Sequence, residues 1–93
     1  MLDYIQTMDK VNAEVFCERE RQNAKWGRQV HPHGNWLAIL GEEFGEVCQA
    51  LQQGSKSSKE TDASNLYEEL IHVAAVASAW AEQIVRDSEN ESN

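Results

Sequence analysis

Residues 36–53 read WLAILGEEFGEVCQALQQ, and the fold follows from how that stretch is patterned. Leu37, Leu40, Phe44, Val47, Cys48 and Leu51 recur at the spacings of three and four that place side chains on one face of an α-helix. At about 100° per residue, Glu42, Glu43 and Glu46 fall on the other side, and they share it with Trp36, Ile39 and Ala50. A helix with a solvated back carries polar residues alone there. This one is predicted to have two covered faces, with carboxylates that do not simply face bulk water.

Working outward, residues 27–34, GRQVHPHG, read as a loop by their glycines and proline, and Asn35 is a good N-cap for the helix that follows. Upstream, a first helix fits residues 3–25. Tyr4, Met8, Val11 and Val15 recur at helical spacing, with Met1 and Ile5 beside them. Beyond Val15 the same face carries Arg19 and Gln22 before Trp26. Two readings stay open there: the stripe enters a pocket, or the helix end meets water. Downstream, Gly54 suits the end of the second helix, and residues 54–63, GSKSSKETDA, suit a surface connection. A third helix is expected from Asp62 or Ser64, either of which can cap it, to Asp87. Leu66, Leu70, Val73, Ala77, Trp80 and Ile84 form its main stripe, and AAVASAWA supplies small residues for close helix approach. Residues 1–87 make one domain, and the tail 88–93, SENESN, has no apolar anchor and is expected to fray.

The expected class is therefore all-α. Ninety-three residues bury too little apolar surface for a lone chain to have stability to spare, so a bundle of three to four helices completed by homo-oligomerisation is expected. The minimum is a homodimer, with a homotetramer as the larger form. Sixteen acidic against eight basic residues give a formal charge of −8, which opposes binding to a nucleic acid polymer and also repels free triphosphate. A phosphate ligand must then come with metal or meet a local basic patch. No apolar run approaches the roughly 18 residues of a membrane span and no secretion signal is present, so no membrane partner is expected and the chain reads as cytoplasmic. Cys17 and Cys48 have neither zinc-ligand nor disulfide-framework spacing and read as ordinary thiols.

Glu43 and Glu46 project from adjacent turns toward one place, and Glu42 reaches Glu46 at a spacing of four. Like charges so placed cost an isolated helix about 0.2–0.5 kcal/mol per pair, which a bound cation reverses. Alone, such a cluster also reads as a solvated acidic face. Against that stands a second cluster on a separate helix, Glu68 and Glu69 followed by His72. Two converging carboxylate pairs suit a hard cation held by oxygen ligands.

Glu42-Glu43-Phe44-Gly45-Glu46 followed by Glu69-Leu70-Ile71-His72 resembles the E-E-x-x-E … E-x-x-D signature of the MazG-like nucleotide pyrophosphohydrolases. Upstream, Trp26, the His31-Pro32 turn and Asn35 look like the loop and helix start that precede that signature, so the resemblance covers residues 18–82. It implies an all-α enzyme in which acidic groups gather around Mg²⁺, with Mn²⁺ as the alternative, and a metal-activated water splits a nucleoside triphosphate into monophosphate and pyrophosphate. It also implies that Glu43, Glu46 and Glu69 are metal ligands, and that Glu42 is a ligand or the base orienting the water, which makes Glu42, Glu43 and Glu46 the catalytic candidates. The fourth ligand position holds His72 where the family has Asp. Neutral imidazole is softer, monodentate and uncharged, and suits Mn²⁺, Fe²⁺ or Zn²⁺ better than Mg²⁺. Three consequences stay open: a changed metal preference with His72 as ligand, a site with fewer ions, or nucleotide binding without catalysis. A packing role for His72 is a fourth.

Arg19, Arg21, Lys25 and Arg28 concentrate half of the basic residues before the second helix. Arg19, Lys25 and Arg28 are candidates to meet phosphates, and Trp26 and His31 to stack on a base. Arg21 reads equally as a helical partner of Glu18. Trp36 and Trp80 read as core or interface. Two further classes compete: a di-iron or di-manganese carboxylate protein, which needs a second Glu-x-x-His supplied by symmetry, and a bare helical oligomerisation module.

Overall fold

A computed structural model of the chain describes residues 1–52 and 65–91. Three α-helices account for them: α1 (Tyr4–Trp26), α2 (His33–Gln52) and α3 (Leu66–Glu91). No strand occurs among the described residues. The connection at 54–63, the Gly54 stop and the Asp62 and Ser64 caps lie outside the described residues.

Each helix start has a local cause. Asp3 caps α1 in a capping box, accepting from the Gln6 N–H at 2.8 Å while the Gln6 side chain accepts from the Asp3 N–H at 3.0 Å. Gly27 ends α1 at φ +72°, a left-handed value that an L side chain rarely adopts, and its N–H donates to the Asn23 carbonyl at 2.9 Å. The second helix begins at His33, two residues before the Asn35 cap expected from sequence. The Pro32 carbonyl accepts from both the Asn35 and Trp36 N–H groups, which places Asn35 inside the first turn. Proline has no N–H to leave unpaired at a helix start, and its ring fixes φ near the helical value. In α3 the cap is Asn65, whose Oδ1 accepts from the Glu68 N–H at 2.9 Å. That helix is continuous and extends to Glu91, past the tail boundary expected at 88.

α3 is the central element: it packs against α1 and against α2, while α1 and α2 make no packing contact with each other among the described residues. The buried face is not the one that apolar periodicity favoured. On α2, Trp36 and, of the expected stripe, Val47 are buried, whereas Leu37, Phe44 and Leu51 of that stripe are each about 60 % exposed or more. On α3 the buried residues are Glu69, Ile71, Ala75, Val76, Ala79 and Gln83, while Leu66, Leu70 and Ile84 are exposed. A small side chain helps explain the choice, because Ala79 leaves room for Trp36, which packs with Val76, Ala79, Ile39, Leu40 and Trp80. No residue of α1 is buried, and Tyr4, Met8 and Val11 all lie exposed. The radius of gyration is 15.7 Å, against about 12 Å for a compact chain of this length.

Candidate metal centre and its cavity

One face of α3 builds the site. Glu69, His72, Val76, Ala79, Gln83 and Arg86 follow one another at alternating spacings of three and four, so they form a single stripe. That stripe changes from acidic to apolar to basic along the helix. Glu43 and Glu46 of α2 meet its acidic end. One ligand atom from each of Glu43, Glu46, Glu69 and His72 lies within 4.8 Å of the other three. Glu69 is 1 % exposed. His72 Nδ1 faces Glu69 Oε2 at 3.5 Å and Glu43 Oε2 at 3.9 Å. The Glu43 Oε2 atom is buried and accepts no hydrogen bond. Burial, then the hydrogen bond and charge of Glu43 and the charge of Glu69, push the Glu46 carboxyl up to about 7. Three carboxylates confined in this way are the arrangement that a bound cation relieves.

The cluster forms one wall of a cavity of about 430 Å³, large enough for a mononucleotide-sized ligand. The other walls come from the C-terminal half of α1, the Gly27–Gln29 segment and the basic end of the α3 stripe. Arg19 joins α1 to α3 through two 2.7 Å hydrogen bonds to Glu82 and also donates to Gln22 and Asn23. The hydrogen bond from Arg19 is the main cause holding the Glu82 carboxyl below its ordinary range. Gln83 fixes the segment before α2. Its Oε1 accepts from the His31 N–H at 3.0 Å and from Trp36 Nε1 at 2.8 Å, and its Nε2 donates to the His31 carbonyl at 2.8 Å. Arg86 donates to the Gln29 carbonyl at 3.3 Å. Trp80 Nε1 donates to His33 Nδ1 at 2.9 Å, which places the His33 ring proton on Nε2.

Of the residues predicted from sequence, Glu43, Glu46, Glu69 and His72 come together, and Arg19, Trp26 and Arg28 line the same cavity. Glu42 is exposed and stands outside both the cluster and the cavity wall, because it is one position off the face that α2 turns to α3. Lys25 lies over the Trp26 ring, 4.7 Å from its centroid, and does not line the cavity. His31 packs edge-on against Trp36 at 4.9 Å and pairs with Gln29, so its ring fills the structure behind the cavity wall instead of standing free to stack on a base. Arg19 is committed to Glu82, and its charge is largely compensated. Arg21 pairs with Glu18 as helical neighbours do. Sequence reasoning missed Gln83 and Arg86, although the alternating stripe that starts at Glu69 is the signal that leads to them.

No protein-family model matches the chain, and neither the curated proteins nor the solved structures contain one that matches it.

Proposed function

We propose that the chain is a divalent-metal-dependent nucleoside triphosphate pyrophosphohydrolase of the MazG-like kind, releasing nucleoside monophosphate and pyrophosphate. The observation that carries this reading is the meeting of Glu43, Glu46, Glu69 and His72 at the wall of a cavity that also contains Arg28 and Arg86. A single helix places acidic ligands at one end of the cavity and a cation at the other, which is the charge layout a phosphate chain bridged by metal requires. The donor set fits a divalent cation, since it offers carboxylate oxygens and an imidazole nitrogen in mutual reach, one of the oxygens buried without a hydrogen bond.

In this reading Glu43, Glu46, Glu69 and His72 hold the metal. Bound there, the ion neutralises phosphate charge and acidifies water, the two effects that hydrolysis of a phosphoanhydride most needs. The rest is done by the chain. Arg28 and Arg86 face the phosphates and offset the −8 charge that would otherwise repel them. Asn23 and Gln22 offer amides to the base or sugar, and Trp26, 58 % exposed at the wall, offers a ring face for stacking.

Self-association belongs to the same proposal. The apolar residues left bare on α2 and α3, Leu37, Phe44, Leu51, Leu66, Leu70 and Ile84, and the bare stripe of α1 are read as faces that a second copy covers, giving a homodimer or homotetramer. The test is product analysis after incubating the protein with canonical and modified nucleoside triphosphates in Mg²⁺ or Mn²⁺. Equal amounts of monophosphate and pyrophosphate are expected. Diphosphate and inorganic phosphate would contradict the proposed bond cleavage, and tight nucleotide binding without products would move the assignment to a binding protein, the reading that His72 in place of Asp favours.

A further inference from the structure

The four-residue cluster has a geometry more specific than an acidic patch. Within one coordination shell of radius about 2.1–2.2 Å, neighbouring ligand atoms stand about 3 Å apart and opposite ones a little over 4 Å. Here all four ligand atoms lie within 4.8 Å of one another, close to what a single shell holds. His72 Nδ1 is 3.5 Å from Glu69 Oε2 and 3.9 Å from Glu43 Oε2. Both distances exceed a good N–H···O hydrogen bond, and both fall between the adjacent and opposite spacings of ligands around one ion. His72 is three residues from Glu69 on the same helix, so α3 fixes their relative placement before any ion arrives.

Resting on the reading of this cluster as a metal centre, we infer that it holds one transition-metal dication of the Mn²⁺ or Fe²⁺ class, with His72 Nδ1 as a nitrogen ligand, in preference to Mg²⁺. Three carboxylates and a neutral imidazole bring three negative charges, which one dication leaves at −1. A second dication would make the centre positive, with no further acidic side chain in the cluster to balance it. Mg²⁺ favours oxygen ligands and retains its water, so an imidazole in its shell is a poor exchange. Mn²⁺ and Fe²⁺ accept mixed oxygen and nitrogen sets, and the Irving–Williams order strengthens the nitrogen bond toward the later metals.

The test uses Mn²⁺ and Mg²⁺ as the actual probes on the full chain without nucleotide. Mn²⁺ binding is followed by loss of the free-ion electron paramagnetic resonance signal, and Mg²⁺ binding by competition. The expected result is one Mn²⁺ per chain, held at least about 100-fold more tightly than Mg²⁺. Pulsed measurements of the bound Mn²⁺ are expected to carry ¹⁴N modulation. His72→Asp should abolish that modulation and narrow the Mn²⁺ to Mg²⁺ ratio by about tenfold or more. His72→Asn, checked for fold by circular dichroism, should lose the modulation as well. Bound Mn²⁺ without ¹⁴N modulation in the wild type overturns the inference while leaving the metal centre standing, as does a selectivity ratio that His72→Asp leaves unchanged. Absence of binding by either ion overturns the inference together with the reading beneath it.

Discussion

Glu46 sits half-buried between Glu43 and Glu69, and its carboxyl is pushed from an ordinary 4.5 up to about 7. A carboxyl whose folded pKa exceeds its unfolded value contributes stability that is complete below about 4.5 and lost as pH rises through about 7. Thermal unfolding of metal-free protein should therefore show a midpoint that falls across this window, and Glu46→Gln should flatten the fall. The same substitution should raise the midpoint at pH 8 in chelator and shrink the further rise expected with Mn²⁺, since it removes both the repulsion and a proposed ligand. At the other wall, Gly27 closes α1 with φ +72° and ψ −173°, backbone that is essentially confined to glycine. Gly27→Ala meets no atom within 4 Å, so its cost is conformational alone. Urea titration is expected to record a loss of about 1–3 kcal/mol.

At the scale of elements, the three helices were legible in the sequence because apolar spacing of three and four runs through each of them. Which face turns inward was not. Both α2 and α3 carry apolar residues on two faces, and periodicity ranks the face with larger side chains first. Packing selected the other, where Trp36 sits against Val76 and Ala79. The site was legible for a related reason: Glu43, Glu46, Glu69 and His72 lie on the two faces that meet. Glu42 and His31 were not separable from them by type, since only the register of α2 and the packing of the His31 ring on Trp36 exclude them. Gln83 shows what tertiary contact adds, because one amide joins α3 to the His31 backbone and to the Trp36 indole. Gln83→Leu leaves those groups without their partner, and a loss of about 2–4 kcal/mol is expected from chemical denaturation. Because the Gln29–His31 segment is then released, the substitution should weaken the proposed nucleotide binding even at temperatures where the protein stays folded.

For the whole molecule, a radius of gyration of 15.7 Å and an α1 without a buried residue describe a chain whose apolar faces exceed what its own helices cover. Sedimentation equilibrium of the wild type is expected to give a dimer or tetramer. Phe44→Glu, at a position 59 % exposed in the single chain, should shift that mass toward monomer, whereas a surface that needs no partner would leave it unchanged. The chemistry proposed for the cavity is tested most directly by pyrophosphate release from a nucleoside triphosphate panel, wild type beside Glu46→Gln, at saturating Mn²⁺ and at saturating Mg²⁺. Removing one carboxylate of the proposed metal centre is expected to lower turnover by about 100-fold or more while the helical fold persists. Turnover that survives Glu46→Gln unchanged, or none from the wild type on any substrate with either metal, would contradict the assignment.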